Sequence, residues 1–155
     1  MISERAELLK SLRAAPVVLR GLVNGVGDDR LRRRPGGGEW AAIEVVAHLA
    51  DTDERALART RRMLAEAEPQ LPAYDPDALA RERGYLQFDL KPEIERFARI
   101  RAEQVDLLSS LDDAAWQRAG HHDEHGRITV QQLAAHTAGE DLDHLAQIAR
   151  LLLGA

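Results

Sequence analysis

The chain has 155 residues, enough for one domain to bury about two-thirds of its unfolded surface without covalent staples. It contains no cysteine, which removes disulfides, thiolate zinc sites, iron–sulfur clusters and cysteine nucleophiles, so any metal must be held by nitrogen and oxygen. With 26 acidic against 21 basic residues the formal net charge is −5, which gives no electrostatic footprint for nucleic acid or an anionic membrane.

Residues 1–155 are expected to form a single domain. No apolar run of about 18 residues is present, and residues 1–11, MISERAELLKS, carry charges where a secretory peptide would have its apolar segment. A cytoplasmic protein with a small-molecule substrate is the expectation, with no nucleic acid and no membrane as partner.

Four long segments show helical periodicity, and none shows sustained alternation of apolar and polar residues. The first helix is predicted from Ser3, a good N-cap, through Leu8, Leu12, Leu19 and Leu22, with Pro16 kinking or dividing it. After the basic, glycine-rich stretch of residues 30–39, read as a solvated loop, a second helix begins near Trp40 and carries Ile43, Val46, Leu49, Leu57 and Leu64. The connection from Glu66 to Asp89, with prolines 69, 72 and 76, is long for a helical hairpin and is expected to cross the bundle or hold a short helix. The third helix fits residues 91–111, with Pro92 in its first turn and Ile94, Phe97, Ile100, Val105 and Leu108 inward. Thr129 followed by Gln132 has the form of a capping box, so the fourth helix is predicted from there to about Leu153. The economical fold is an all-α four-helix bundle with a long connection between the second and third helices.

In the last helix His136, Glu140 and His144 recur at every fourth position, which stacks them along one side about a turn apart. His144 falls inside the apolar stripe of Val130, Leu133, Thr137, Leu145, Ile148 and Leu151, Glu140 at its margin, Asp141 within it, and His136 further round. Polar groups in such a stripe are either a seam with satisfied histidines or donors to a cation. On the second helix His48 projects with Glu44, Asp51 and Arg55, away from the apolar stripe, yet residues 40–50 are apolar over most of the circumference, so this side is read as open to cover by another segment.

Residues 44–54, EVVAHLADTDE, the tryptophan before them, and residues 140–148, EDLDHLAQI, resemble the signatures of the DinB-like superfamily, including its YfiT-type members. The resemblance runs from Trp40 through the last helix. It implies a four-helix bundle with a long second connection, a divalent metal held by three histidines, and in many relatives a homodimer. Carried over by position, His48 matches the first ligand and His144 the last, while Glu140 stands where the family has its middle histidine. Glutamate is a competent ligand, and two imidazoles with one carboxylate suit zinc, nickel, manganese or iron and leave positions open for substrate. The implied metal site is therefore His48, Glu140 and His144, with His136 the poorer substitute.

The resemblance further implies either an S-transferase using a low-molecular-weight thiol such as bacillithiol or mycothiol, which is the favoured expectation, or a metal-dependent hydrolase. A non-catalytic ligand-binding or dimerising module is the third reading. Of the remaining polar features, Asp51 and Asp141 are read either as orienting the ligand histidines or as solvated acids. His121, His122 and His125 are read as ordinary loop histidines, with an independent metal site the lesser reading, Trp40 and Trp116 as packing, and the charged stretch of residues 93–103 as solvated helix surface.

Overall fold

The computed structural model describes residues 1–153. The elements in order are α1 (Glu4–Val23), α2 (Asp28–Leu31), α3 (Ala42–Ala65), β1 (Gln70–Leu71), α4 (Pro76–Arg83), a 3-10 turn at Tyr85–Gln87, α5 (Leu90–Ser109), α6 (Asp113–Trp116), β2 (Ala119–His122), β3 (Gly126–Thr129) and α7 (Val130–Leu153). The predicted caps form as the sequence implies. Ser3 Oγ accepts from the Ala6 amide at 3.3 Å. At the start of α7, Thr129 Oγ1 accepts from the Gln132 amide at 3.1 Å while Gln132 Oε1 accepts from the Thr129 amide at 2.9 Å.

The four long helices form the all-α bundle expected from periodicity. α3 packs on α5 and α7, and α1 packs on the same two, so α1 lies diagonal to α3 and α5 diagonal to α7. The long connection between α3 and α5 joins neighbours and carries α4 and the 3-10 turn, so it holds a short helix without crossing the bundle. Gly84, at φ 67°, ends α4 in the left-handed conformation that glycine adopts at least cost.

Two expectations are corrected. Alternation of residue type predicted no strand, yet β1, β2 and β3 form a small sheet in that order, β1 parallel and β3 antiparallel to β2. These strands have only 2 to 4 residues each, too few to establish a period of two. Glycine at position 120 suits the middle one, because a Cβ there would lie 2.8 Å from Leu71 Cδ1 and 3.1 Å from the Pro69 carbonyl oxygen, so that its neighbours would have to shift. Nor does Pro16 divide the first helix, which runs unbroken from Glu4 to Val23.

The reason lies in the core. Proline has no N–H, so the carbonyl four residues earlier, that of Leu12, loses its helical partner. Arg101 Nη1, reaching in from α5, donates to that carbonyl at 2.9 Å. The same guanidinium binds Asp53 of α3, with Nη2 to Oδ1 at 2.9 Å and Nε to Oδ1 at 3.1 Å, and Asp141 of α7, with Nη1 to Oδ2 at 2.6 Å and Nη2 to Oδ1 at 2.8 Å. Arg101 is 2% exposed. All four long helices thus meet at one side chain, which belongs to the stretch whose charge alone suggested a solvated face. Nearby in α5, neither amide atom of the buried Gln104 side chain has a hydrogen-bond partner among the described residues.

One guanidinium serves two carboxylates, so the cluster carries excess negative charge out of water. Burial pushes the Asp53 carboxyl up to about 6 against the pull of Arg101, with the charge of Asp141 adding to the rise. Burial raises Asp141 as well. A carboxyl whose folded pKa lies above its unfolded value holds its proton more tightly when folded, so its contribution to stability is full at low pH and is lost as pH rises through about 6.

Two measurements follow. Arg101→Met strands both carboxylates and is expected to lower unfolding free energy in urea by about 3–5 kcal/mol; a loss below 1 kcal/mol would show that the cluster is not a stabilising tie. Acidifying from about pH 7 to pH 5 is expected to raise the denaturation midpoint of the wild type more than that of Asp53→Asn, and an equal response would remove Asp53 as the source.

Candidate functional site

Residues 41–50 are buried at every position, which answers how a polar residue can sit on the side of α3 away from its main apolar stripe. The connection between α3 and α5 covers that side, with Ala80 and Tyr85 packing on Ala47 and Trp40 packed beside them. His48 is consequently 5% exposed, its ring centroid 5.0 Å from that of Trp40. From α7, His144 meets it. The two Nε2 atoms are 3.1 Å apart, with the rings nearly perpendicular at 73°.

Burial and, after it, the proximity of His144 lower the pKa of His48 to about 4 against the opposing pull of Asp51. His48 is therefore neutral at ordinary pH. His144 Nδ1 lies 3.0 Å from Gln147 Oε1, an acceptor only, so Nδ1 carries a proton and Nε2 is the ring nitrogen left to present a lone pair. That lone pair faces both His48 and the Glu140 carboxylate, whose Oε2 is 3.4 Å away. Electron-rich atoms converging on one point are complemented by a cation. Two nitrogens on one tetrahedral zinc, each at about 2.0–2.1 Å, stand roughly 3.3 Å apart, and the 3.1 Å found here falls at that separation. The two imidazoles are spaced as two ligands of one divalent metal would be, with Glu140 Oε2 set beside His144.

The other sequence-marked residues go elsewhere. His136 Nε2 is 3.9 Å from Glu140 Oε1, and its ring packs 5.0 Å from that of His125, two turns of α7 away from His144. Asp51 and Asp141 do not hydrogen-bond an imidazole among the described residues. Asp51 accepts from the Tyr85 hydroxyl, from Arg96 Nη2 at 2.6 Å and pairs with Arg83 Nε at 2.8 Å, and Asp141 belongs to the Arg101 cluster. Glu44 accepts from the Ala41 amide at 3.0 Å and from Arg34 Nε at 2.8 Å, which brings part of the basic loop onto the protein. Sequence reasoning missed Gln147, although its position three residues after His144 is where a side chain can reach the ring. It also missed Thr52 and Tyr74, whose hydroxyls lie 3.1 Å apart beside His48.

The pair opens onto a groove of about 580 Å³ between α3 and α7, walled by Trp40, Tyr74, His122 and His125 and running past Thr52, Glu140 and His136 to Arg59. The segment predicted as a plain loop is the β2–β3 hairpin, and it brings two histidines, His122 and His125, to the groove's far end. Among the described residues, the only three His, Asp or Glu donors that all lie within 4.8 Å of one another are His122, Glu124 and His125. The His48, His144 and Glu140 set is more open, its carboxylate reached through His144.

The family model of the DinB superfamily matches residues 11–148. A Geobacillus kaustophilus (strain HTA426) protein named "putative metal-dependent hydrolase" is 27% identical over 149 residues, 96% of this chain and 84% of that protein. A Geobacillus thermodenitrificans (strain NG80-2) protein of the same name is 28% identical over 112 residues, 72% of this chain, and the match spans 63% of that relative's length. The solved structure of YfiT from Bacillus subtilis, described as having an unusual four-helix bundle topology, matches with a TM-score of 0.85 at 22% identity, covering 100% of this chain and 92% of that one. That likeness shows the fold. No helix among the described residues is long and apolar enough to cross a membrane.

The contacts of Asp51 mark it as a tie between α3, α5 and the covering connection. Asp51→Asn is expected to cost about 1–3 kcal/mol of stability while zinc affinity, read by calorimetry, changes less than about twofold; a loss of zinc binding with stability intact would return Asp51 to the site.

Proposed function

The chain belongs to the DinB superfamily, and on that footing we propose that it is a metal-dependent hydrolase of a small molecule, with one divalent ion held by His48, His144 and Glu140. The observation that carries this is the paired imidazoles, their Nε2 atoms 3.1 Å apart at the base of a groove, with the lone pair of His144 fixed by Gln147. The names of the relatives favour hydrolysis as the reaction.

A divalent ion bound there would lower the pKa of water or a thiol and polarise a carbonyl. The rest of the chemistry belongs to the chain. His48 presents a neutral nitrogen without needing deprotonation, because burial and the proximity of His144 already disfavour its charged form. Gln147 holds the His144 ring in orientation through Nδ1. Glu140 turns Oε2 toward His144 and Oε1 toward His136, so one oxygen serves as a donor while the other accepts a proton from the groove side. The hydroxyls of Thr52 and Tyr74 supply hydrogen-bond donors for oxygen that gains charge during the reaction. Trp40 and Tyr85 close the inner side against water.

A second reading, the thiol-dependent S-transferase, is kept because a groove of about 580 Å³ accommodates a thiol cosubstrate beside an electrophile. Ester or amide cleavage without added thiol supports hydrolysis, and turnover that requires a thiol supports transfer.

Calorimetric titration with zinc and nickel tests the site itself. The wild type is expected to take up one ion, His48→Ala and His144→Ala to lose it, and Gln147→Leu to bind roughly 10–100-fold more weakly. Retention of the ion in His144→Ala together with its loss in His122→Ala would move the metal to the hairpin and overturn the assignment.

A further inference from the structure

The far end of the groove holds a second group of polar side chains that the metal centre does not use. Arg59 of α3, His122 and His125 of the β2–β3 hairpin and His136 of α7 line a recess of about 150 Å³ continuous with the main groove. His122, Glu124 and His125 satisfy the distances for a cation, but the hydrogen bonds contradict it. His122 Nδ1 accepts from the amides of Glu124 at 3.1 Å and His125 at 3.3 Å, so the proton of the neutral ring sits on Nε2. No lone pair is left for a metal. The nearby Arg59 adds like charge, and its guanidinium together with burial disfavours the protonated form of His122.

Arg59 is the second observation. It is half-buried, its Nη2 donates to the Pro72 carbonyl at 2.7 Å, and no carboxylate lies within ion-pair distance among the described residues. Asp123 and Glu124 act on it only at longer range, and Asp123 is engaged with the Ala73 amide at 3.0 Å. A partly desolvated guanidinium with free N–H donors, beside an imidazole fixed as an Nε2–H donor, presents hydrogen-bond donors to whatever fills the recess. An oxyanion is the group that such a set accepts bidentately.

Position gives the set a meaning. His48, Thr52 and Arg59 follow one another along α3, and His144, Glu140 and His136 along α7, both rows lining one groove. His144 and His136 are two turns apart, about 12 Å along the axis. We propose that this recess is a docking subsite for an oxyanion, of carboxylate or phosphate class, carried by the substrate at the end remote from the bond that reacts. The proposal rests on the metal-dependent reading for its account of the reacting end. The subsite itself does not need the ion.

The test is therefore made on the full chain after chelation. Imidazole proton resonances are followed by NMR while sodium acetate or sodium phosphate replaces sodium chloride at constant ionic strength and pH. Saturable shifts confined to His122, His125 and His136 are expected, weakened about tenfold or more in Arg59→Met, weakened less in Arg59→Lys, and unchanged in His48→Ala. Phosphate binding more tightly than acetate identifies a phosphoryl group as the preferred tail, and the reverse identifies a carboxylate; either supports the subsite. Shifts equal to those with chloride, or unaltered in a folded Arg59→Met, overturn it. Because His48→Ala lacks the metal centre, failure of the metal reading leaves these shifts in place, and failure of the subsite leaves zinc uptake in place.

Discussion

Everything in this protein is registered against one buried guanidinium. Arg101 reaches three other helices at once, through a carbonyl on α1 and a carboxylate on each of α3 and α7. Apolar packing tolerates sliding of one helix along another by a fraction of a turn, because its energy depends on area and little on direction. Charged hydrogen bonds out of water do not, since each displaced donor or acceptor is left unpaired. The cluster therefore sets the axial register of the bundle, and packing fills in around it.

That register is what builds the groove. Asp53 follows His48 by five residues on α3, and Asp141 precedes His144 by three on α7, so fixing the two aspartates on one arginine also fixes the height of the two histidines. A second ionic knot, Asp51 with Arg83, Arg96 and the Tyr85 hydroxyl, presses the covering connection onto the other side of α3 and keeps His48 dry. The polar residues of residues 44–54 thus divide between holding the frame and facing the groove, a division that a helical wheel cannot make.

The bundle itself was legible, because its helices are long and the caps at Ser3 and Thr129 are local chemistry. His48 and His144 were also legible, and the structure brings them together as the resemblance implied. What was not legible depended on partners distant in sequence. Arg101 lies among charged residues and looks solvated until Asp53 and Asp141 arrive from two other helices. Asp51 reads from the sequence as either an imidazole partner or a solvated acid, and it is neither, because arginines from elsewhere claim it. The strands were too short for any period, and His122 acquires its fixed proton only through a turn that pairing of those strands creates.

Pro16 sits in α1 where a helix ordinarily suffers from it, yet its missing N–H is what leaves the Leu12 carbonyl available to Arg101. An amide-bearing residue at position 16 would contend with the arginine for the same oxygen, while loss of the arginine would leave the proline a defect. Substitutions at the two positions, 85 places apart in sequence and joined through a main-chain atom that no substitution at position 12 can delete, are therefore expected to be non-additive in stability.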